Sequence, residues 1–358
     1  VAFDNFKLYY CGTGRYQFNS DCSELTLQGE WKTEDFTTLA EAIESEKNTL
    51  GAVFITSDNV TLNGTLEVSE PADSKGAFNI LFYTDLDGVT GDANVVRMTE
   101  DGNTCENLVL TDGHLFSAPL AFTAATASYT RGVTVSSSVA WGTIMLPFAL
   151  SEKPSMIDTF FDVKTINTST GKLSLSEVAR NGVVAANTPL VFTATGDLDI
   201  TEYDVDIDAE SDLKTPDVEN DGLCLYGTYK KYIVGQIQDQ SNYSSYVQNA
   251  DGLCAHDCYY VKGGEFWRGN GWFSVNPFRS FVFTGEVTSE TVSSTAERPT
   301  VLDVDFSDII ANDVTTLEDN ADTVETGRYN AAGIPVDNNA KGFSIVRMSD
   351  GTVRKVMR

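Results

Sequence analysis

At 358 residues the chain is long enough for two or three domains, each with its own apolar core, and its 41% hydrophobic and 11% aromatic content is that of a folded protein. The 52 acids outweigh 24 bases to give a formal net charge of -28, which argues against nucleic acid and anionic membrane surfaces as partners. No apolar run approaches the ~20 residues of a membrane-spanning helix.

In chain order, Val1-Ala2-Phe3-Asp4-Asn5-Phe6 reads as the middle of a strand that continues to Tyr10. The expectation is that a segment upstream was processed away, as in an exported protein. Cys11 and Cys22 flank a polar loop containing Gly12-Thr13-Gly14, which fits a disulfide closing a hairpin. The one helix signal runs from Thr37 to Lys47. Thr38 followed three residues later by Glu41 has the pattern of a capping box, and Leu39, Ala42 and Ile43 fall on one face.

From Ala52 to Leu110, short apolar runs such as Val53-Phe54-Ile55, Ile80-Leu81-Phe82-Tyr83 and Leu108-Val109-Leu110 alternate with Asn, Asp and Gly turns. A solenoid-like β stack and an ordinary sheet are both open on this pattern. Asp85-Leu86-Asp87-Gly88 with Asp92 lacks the later Glu of a calcium loop and reads as a turn. From about Thr126 to Glu286 the punctuation is that of an antiparallel sandwich, with Val139–Phe148, Leu190–Thr195 and Phe281–Phe283 as buried strands. The expected organisation is therefore all-β in tandem domains: 1–24 ending an upstream domain, 25–125 β-rich, and 126–286 a sandwich. A linker and acidic stretch at 287–326 and a small β tail at 327–358 complete it.

Candidate sites emerge from this organisation. Asp204, Asp206 and Asp208 lie in the most acidic stretch, Asp197 to Asp221, and clustered carboxylates are what calcium needs; the expectation is no cofactor, with calcium as the alternative. Tyr203, Val205 and Ile207 alternate with them, so a strand with one solvated face is the plainer reading. Trp267, Arg268, Asn270 and Trp272 sit among glycines, where exposed aromatic faces with hydrogen-bonding neighbours form a platform for a sugar ring; a Trp packed back on its own sheet is the alternative. Cys254 and Cys258 are spaced to close a small loop, leaving Cys105 and Cys224 as a long-range pair or as thiols. With two histidines in the chain, His114 in a turn and His256 between cysteines, no triad or histidine-zinc site is recognisable, and the expectation is a non-enzyme. Asp322-Thr323-Val324 fits a loose Asp-Ser/Thr-aliphatic pattern of bacterial O-glycosylation, at Thr323.

Tyr129-Thr130-Arg131, Trp141-Gly142-Thr143-Ile144-Met145-Leu146-Pro147-Phe148, Asn187–Phe192 and Val275-Asn276-Pro277-Phe278-Arg279-Ser280-Phe281 together resemble a β-sandwich module common near the C-termini of large secreted proteins of Bacteroidetes. Cys105–Gly113 is similar to the segment that precedes it. The tail, Arg328–Val336 and Lys341–Arg347, resembles the short C-terminal signature of sorting domains read by the type IX secretion system. Val1–Tyr10 is similar to the closing strand of a jelly-roll carbohydrate-binding module. The resemblance implies a location outside a Gram-negative cell or on its outer surface, with glycans or other surface proteins as partners. Adhesion, glycan binding or spacing is the expected role. A subunit of an extracellular assembly, and the accessory C-terminal part of a glycan-degrading enzyme, are the alternatives.

Overall fold

The computed structural model describes residues 14–135, 140–167, 172–178, 183–209, 224–235, 247–248, 258–262, 265–269, 272–283, 301–305, 325–329, 335–337, 343–348 and 353–357. The chain forms two compact units, Val1–Asp308 and Ile309–Arg358. It is all-β among the described residues, with one α-helix, Phe36–Glu46.

After Tyr16–Phe18, which pairs antiparallel with Glu24–Leu27, the first unit continues as a stack of parallel strands. Leu25, Val53, Phe82 and Val95 lie in register across Glu24–Leu27, Ala52–Ile55, Leu81–Thr84 and Val95–Thr99. Each coil then turns onto a second ladder, where Gly29–Lys32 pairs with Val60–Asn63 and Leu66–Glu67 with Val89–Thr90. Side chains alternate across a strand, so Leu25, Val53 and Phe82 point between the ladders to meet Trp31, Val60 and Val89. The helix covers the same interior with Leu39, Ala42 and Ile43, the face read from the sequence. Its start differs from the expectation. Asp35 is the N-cap, and Asp35 accepts from the Lys32 backbone N–H at 2.8 Å through the preceding 3-10 turn, so Thr38 and Glu41 lie inside the helix rather than capping it.

These strands belong to an eight-stranded sheet that continues through Gly102–Thr111, Phe122–Arg131 and Leu198–Ile207. The strand Phe122–Arg131 thus crosses the division expected at residue 125 and joins the stack to the rest of the unit. The sheet's other face, including Ala52, Leu81, Tyr83, Leu108 and Tyr129, packs on Ile144, Phe160, Phe192 and Phe278 in one continuous cluster. On the last three strands the inward positions step from Cys105 to Leu108, from Ala124 to Ala127 and from Val205 to Glu202. Each strand therefore shifts phase at the same level, at Glu106, Ala125 and Asp204, where Asp204 has φ 51°. This row corrects the simple alternation read at 203–208: Tyr203 is 70% exposed beside an exposed Asp204, while Val205 and Ile207 are buried.

The second layer is a nine-stranded sheet running from Ala140–Ile144 to Cys224–Thr228. All neighbours are antiparallel except Lys172–Glu177 with Val301–Asp305. It curls, because Ala140–Ile144 also meets Arg279–Phe283 near the far end. The Met145 N–H donates to Phe278 O at 3.1 Å, Thr143 Oγ1 donates to Ser280 O at 2.9 Å, and the Ser280 N–H donates to Thr143 Oγ1 at 3.0 Å. A three-stranded sheet of Val247–Gln248, Tyr232–Gly235 and Trp272–Val275 adds a small cluster around Phe273 and Phe281. The second unit is an antiparallel meander of Glu325–Tyr329, Phe343–Met348 and Val353–Met357. No helix among the described residues is long and apolar enough to cross a membrane.

Candidate functional site

The curl of the second layer builds a cavity of about 460 Å³ at the end of the first sheet. Its charge comes from Arg131, set beside Asp112 by parallel pairing, and from Arg279 of the second layer. Thr111 and Thr130 are in register, so Asp112, just past one strand, lies beside Arg131, the last residue of the next. Asp112 is only 15% exposed and is shared. Tyr129 Oη donates to Oδ1 at 2.9 Å, Arg279 Nη2 donates to Oδ2, and Arg131 Nε stands 4.0 Å from Oδ1. Arg131 is 6% exposed; its Nη1 donates to Thr143 O at 2.7 Å and its guanidinium lies 5.2 Å from the Phe192 ring centroid. Gly142 permits this approach, since a Cβ there would fall 2.7 Å from Phe192 Cζ and 3.0 Å from Arg131 Nη2.

Burial and the neighbouring Arg279 cation both lower the pKa of Arg131, while burial, reinforced by the Asp112 charge, raises that of Tyr129. Two guanidiniums face Asp112, and a second carboxylate, Asp197, accepts from the N–H of the lining residue Val133 at 2.8 Å. Arg131 Nε, Arg279 Nε and Ser280 Oγ are buried without a hydrogen-bond partner, and all three residues line the cavity. Trp141 and Tyr260 supply its aromatic walls. Trp141 stacks on Phe161 at 5.5 Å, and Tyr260 lies 4.9 Å from Phe273, centroid to centroid.

Of the expected aromatic platform, Trp267, Arg268 and Trp272 are not among the residues lining this cavity. Trp267 and Arg268 end the strand Glu265–Arg268, and Trp267 is the half-buried cross-strand neighbour of Tyr260. Trp272, 37% exposed, opens the strand Trp272–Val275, two residues before the lining residue Ser274. Asn270 lies outside the described residues, as do Cys11, Cys254, His256 and Thr323. Cys22 is half-buried at φ 60°, Cys258 is buried in the second layer, and Cys105 is a free buried thiol whose pKa burial pushes up to about 12.

Asp204, Asp206 and Asp208 are all exposed. Thr123 Oγ1 donates to Asp206 at 2.9 Å and Asn187 Nδ2 to Asp208 at 2.8 Å, and among the described residues no group of three or more His, Cys, Asp or Glu is placed to hold a metal ion. Asp85 instead ties neighbouring coils of the stack together, accepting from the Ser57 N–H at 2.7 Å and from Ser57 Oγ at 2.5 Å. His114 is buried, with Nε2 3.1 Å from Asp73 Oδ1 and its ring 4.1 Å from that of Phe78; it lines a separate cavity of about 370 Å³ with Lys47, Lys75, Lys230 and Lys231.

Arg131, Arg279 and Ser280 were not among the site residues expected from the sequence. Ser280 carries no local signal, and Arg131 and Arg279 carry only that of an arginine at a strand terminus in a chain poor in bases, where a buried guanidinium demands partners. Comparison with protein-family models, curated proteins and solved structures finds no match.

Proposed function

We propose that this chain is a non-catalytic binding module of an extracellular or cell-surface protein, and that it holds a glycan in the cavity between Arg131, Trp141, Tyr260 and Arg279. The observation that carries this reading is the cavity itself: the aromatic walls of Trp141 and Tyr260 beside the polar side chains of Ser274, Asn276 and Arg279 are the two things a sugar ring needs, a stacking face and partners for its oxygens. Trp267 and Trp272 continue the two flanking strands and would extend contact beyond a single ring. The acidic surface and the resemblance to secreted proteins of Bacteroidetes support a place outside the cell, with the tail Gly327–Arg358 as a sorting element.

A glycan array probed with the intact protein tests the reading, alongside a Trp141→Leu/Tyr260→Leu variant and a Trp267→Ala/Trp272→Ala variant, each checked for its fold by circular dichroism. Binding is expected in the intact protein, abolished in the first variant and weakened in the second. Absence of glycan binding by the intact protein, or full binding by the first variant, overturns it.

A further inference from the structure

We infer that the glycan held at this cavity is uncharged, and that the Asp197 carboxylate at the cavity's edge disfavours acidic ones. This rests on the proposed binding role and names the class of ligand. Leu198 is the register partner of Arg131, which brings Asp197, one residue earlier, beside the lining segment that follows Arg131. Asp197 Oδ1 accepts from the Val133 N–H at 2.8 Å and lies 3.9 Å from where a Cβ at Gly132 would stand. Asp112 accepts from Arg279 Nη2 and lies 4.0 Å from Arg131 Nε. The two guanidiniums of the cavity are thus met by two carboxylates. Charges on the neighbouring strands do not tip this balance. Lys262, next to the lining residue Val261, has Glu265 as its cross-strand partner. Arg268 stands opposite Tyr259, so its side chain leaves the other face of the strand from Tyr260.

A charged ligand upsets the balance. An anion reaching Arg279 competes with Asp112 for the same guanidinium, and one beside Arg131 meets the Asp197 charge. A cation faces the two arginines. What the cavity offers without disturbing these pairs is neutral: the Ser274 hydroxyl and the Asn276 amide, each able both to donate and to accept. Sugar hydroxyls also do both, whereas an ionised carboxylate only accepts. Trp141 is backed by Phe161 and Tyr260 by Phe273, which steadies both rings for stacking on an apolar sugar face. Asp197 is exposed, so salt and water limit its effect to severalfold. The net charge of -28 acts on acidic polysaccharides in the same sense.

The test is an array of neutral oligosaccharides printed beside uronate-bearing and sulfated counterparts of the same chains, titrated with the full-length protein at about 0.05 and about 0.5 M salt. Neutral chains are expected to bind with little response to salt, and their acidic counterparts about fivefold more weakly at low salt, a gap that narrows at high salt. Asp197→Asn keeps an acceptor for the Val133 N–H and removes the charge, so it should raise binding of the acidic counterparts severalfold and leave the neutral chains unchanged. Acidic counterparts bound as tightly as neutral chains, or more tightly, overturn the inference and leave the glycan-binding role standing. A gap that neither salt nor Asp197→Asn narrows overturns it as well. Silence across the whole array removes both the inference and the binding role.

Discussion

Replacing Glu70 by Gln should make the protein more stable at neutral pH and flatten its dependence on pH. Glu70 Oε1 accepts from Asn94 Nδ2 and Oε2 from the Ile80 N–H at 3.3 Å, while Asn94 also donates to Val109 O at 3.0 Å and accepts from the Val109 N–H at 2.8 Å. Burial raises the carboxyl from 4.5 to about 8 in the folded chain, against the opposing pull of those two donors. The folded pKa lies above the unfolded one, so the folded state holds its proton longer. The associated stability is complete below about pH 4.5 and is lost as pH rises through 8. At 1.36 kcal/mol per pH unit, this group withdraws at most about 4 kcal/mol by pH 7.5, and about 2 kcal/mol if water reaches half of that effect. Glutamine keeps an acceptor for Ile80 or Asn94 and removes the charge. Urea unfolding followed by circular dichroism at pH 4, 6 and 7.5 should show the variant equal to the parent at pH 4 and about 2 kcal/mol more stable at pH 7.5. Equal pH slopes for the two proteins, or a variant weaker at pH 7.5, would refute the assignment of a buried neutral acid.

Local geometry sets three further outcomes. Gly227→Ala places a Cβ 2.2 Å from Met145 Sδ and should cost about 1–3 kcal/mol in denaturant unfolding, partly recovered by adding Met145→Ala; an unchanged midpoint contradicts the close packing. Asp204→Val puts a β-branched residue at φ 51° and should cost about 1–2 kcal/mol, whereas Asp199→Val on the same exposed face should change stability little. Equal effects at the two positions would deny the phase shift at Asp204. Cys105, with its thiol raised to about 12, should resist iodoacetamide at pH 8 until the chain is unfolded, as read by mass spectrometry of its peptide; alkylation of the native protein would show it accessible.

What the sequence discloses is what local periodicity controls. The helix face of Leu39, Ala42 and Ile43 comes from 3.6-residue spacing, and the apolar runs of 52–110 mark their strands because β-branched and aromatic residues favour half-buried pleats. Pairing is another matter. The parallel register of Thr111 with Thr130, and the contact of Asp112 with Arg279 across 167 residues, leave no local trace, since the pattern in each strand is the same whichever neighbour it takes. The phase shift at Asp204 also escapes simple alternation, because Tyr203 is apolar enough to be read as inward. At the cavity, the aromatic residues are conspicuous in the sequence, but Arg131 and Ser280 gain meaning only when the curl of the second layer places them together.

The eight-stranded sheet is a party wall: Phe82 furnishes one room and its neighbour Tyr83 the other. Cutting the chain between stack and second layer would leave either tenant with one face bare to water. A fragment that keeps both rooms must therefore include Val301–Asp305, which lies inside the nine-stranded sheet, and a protease that opens either side should condemn the whole building at once.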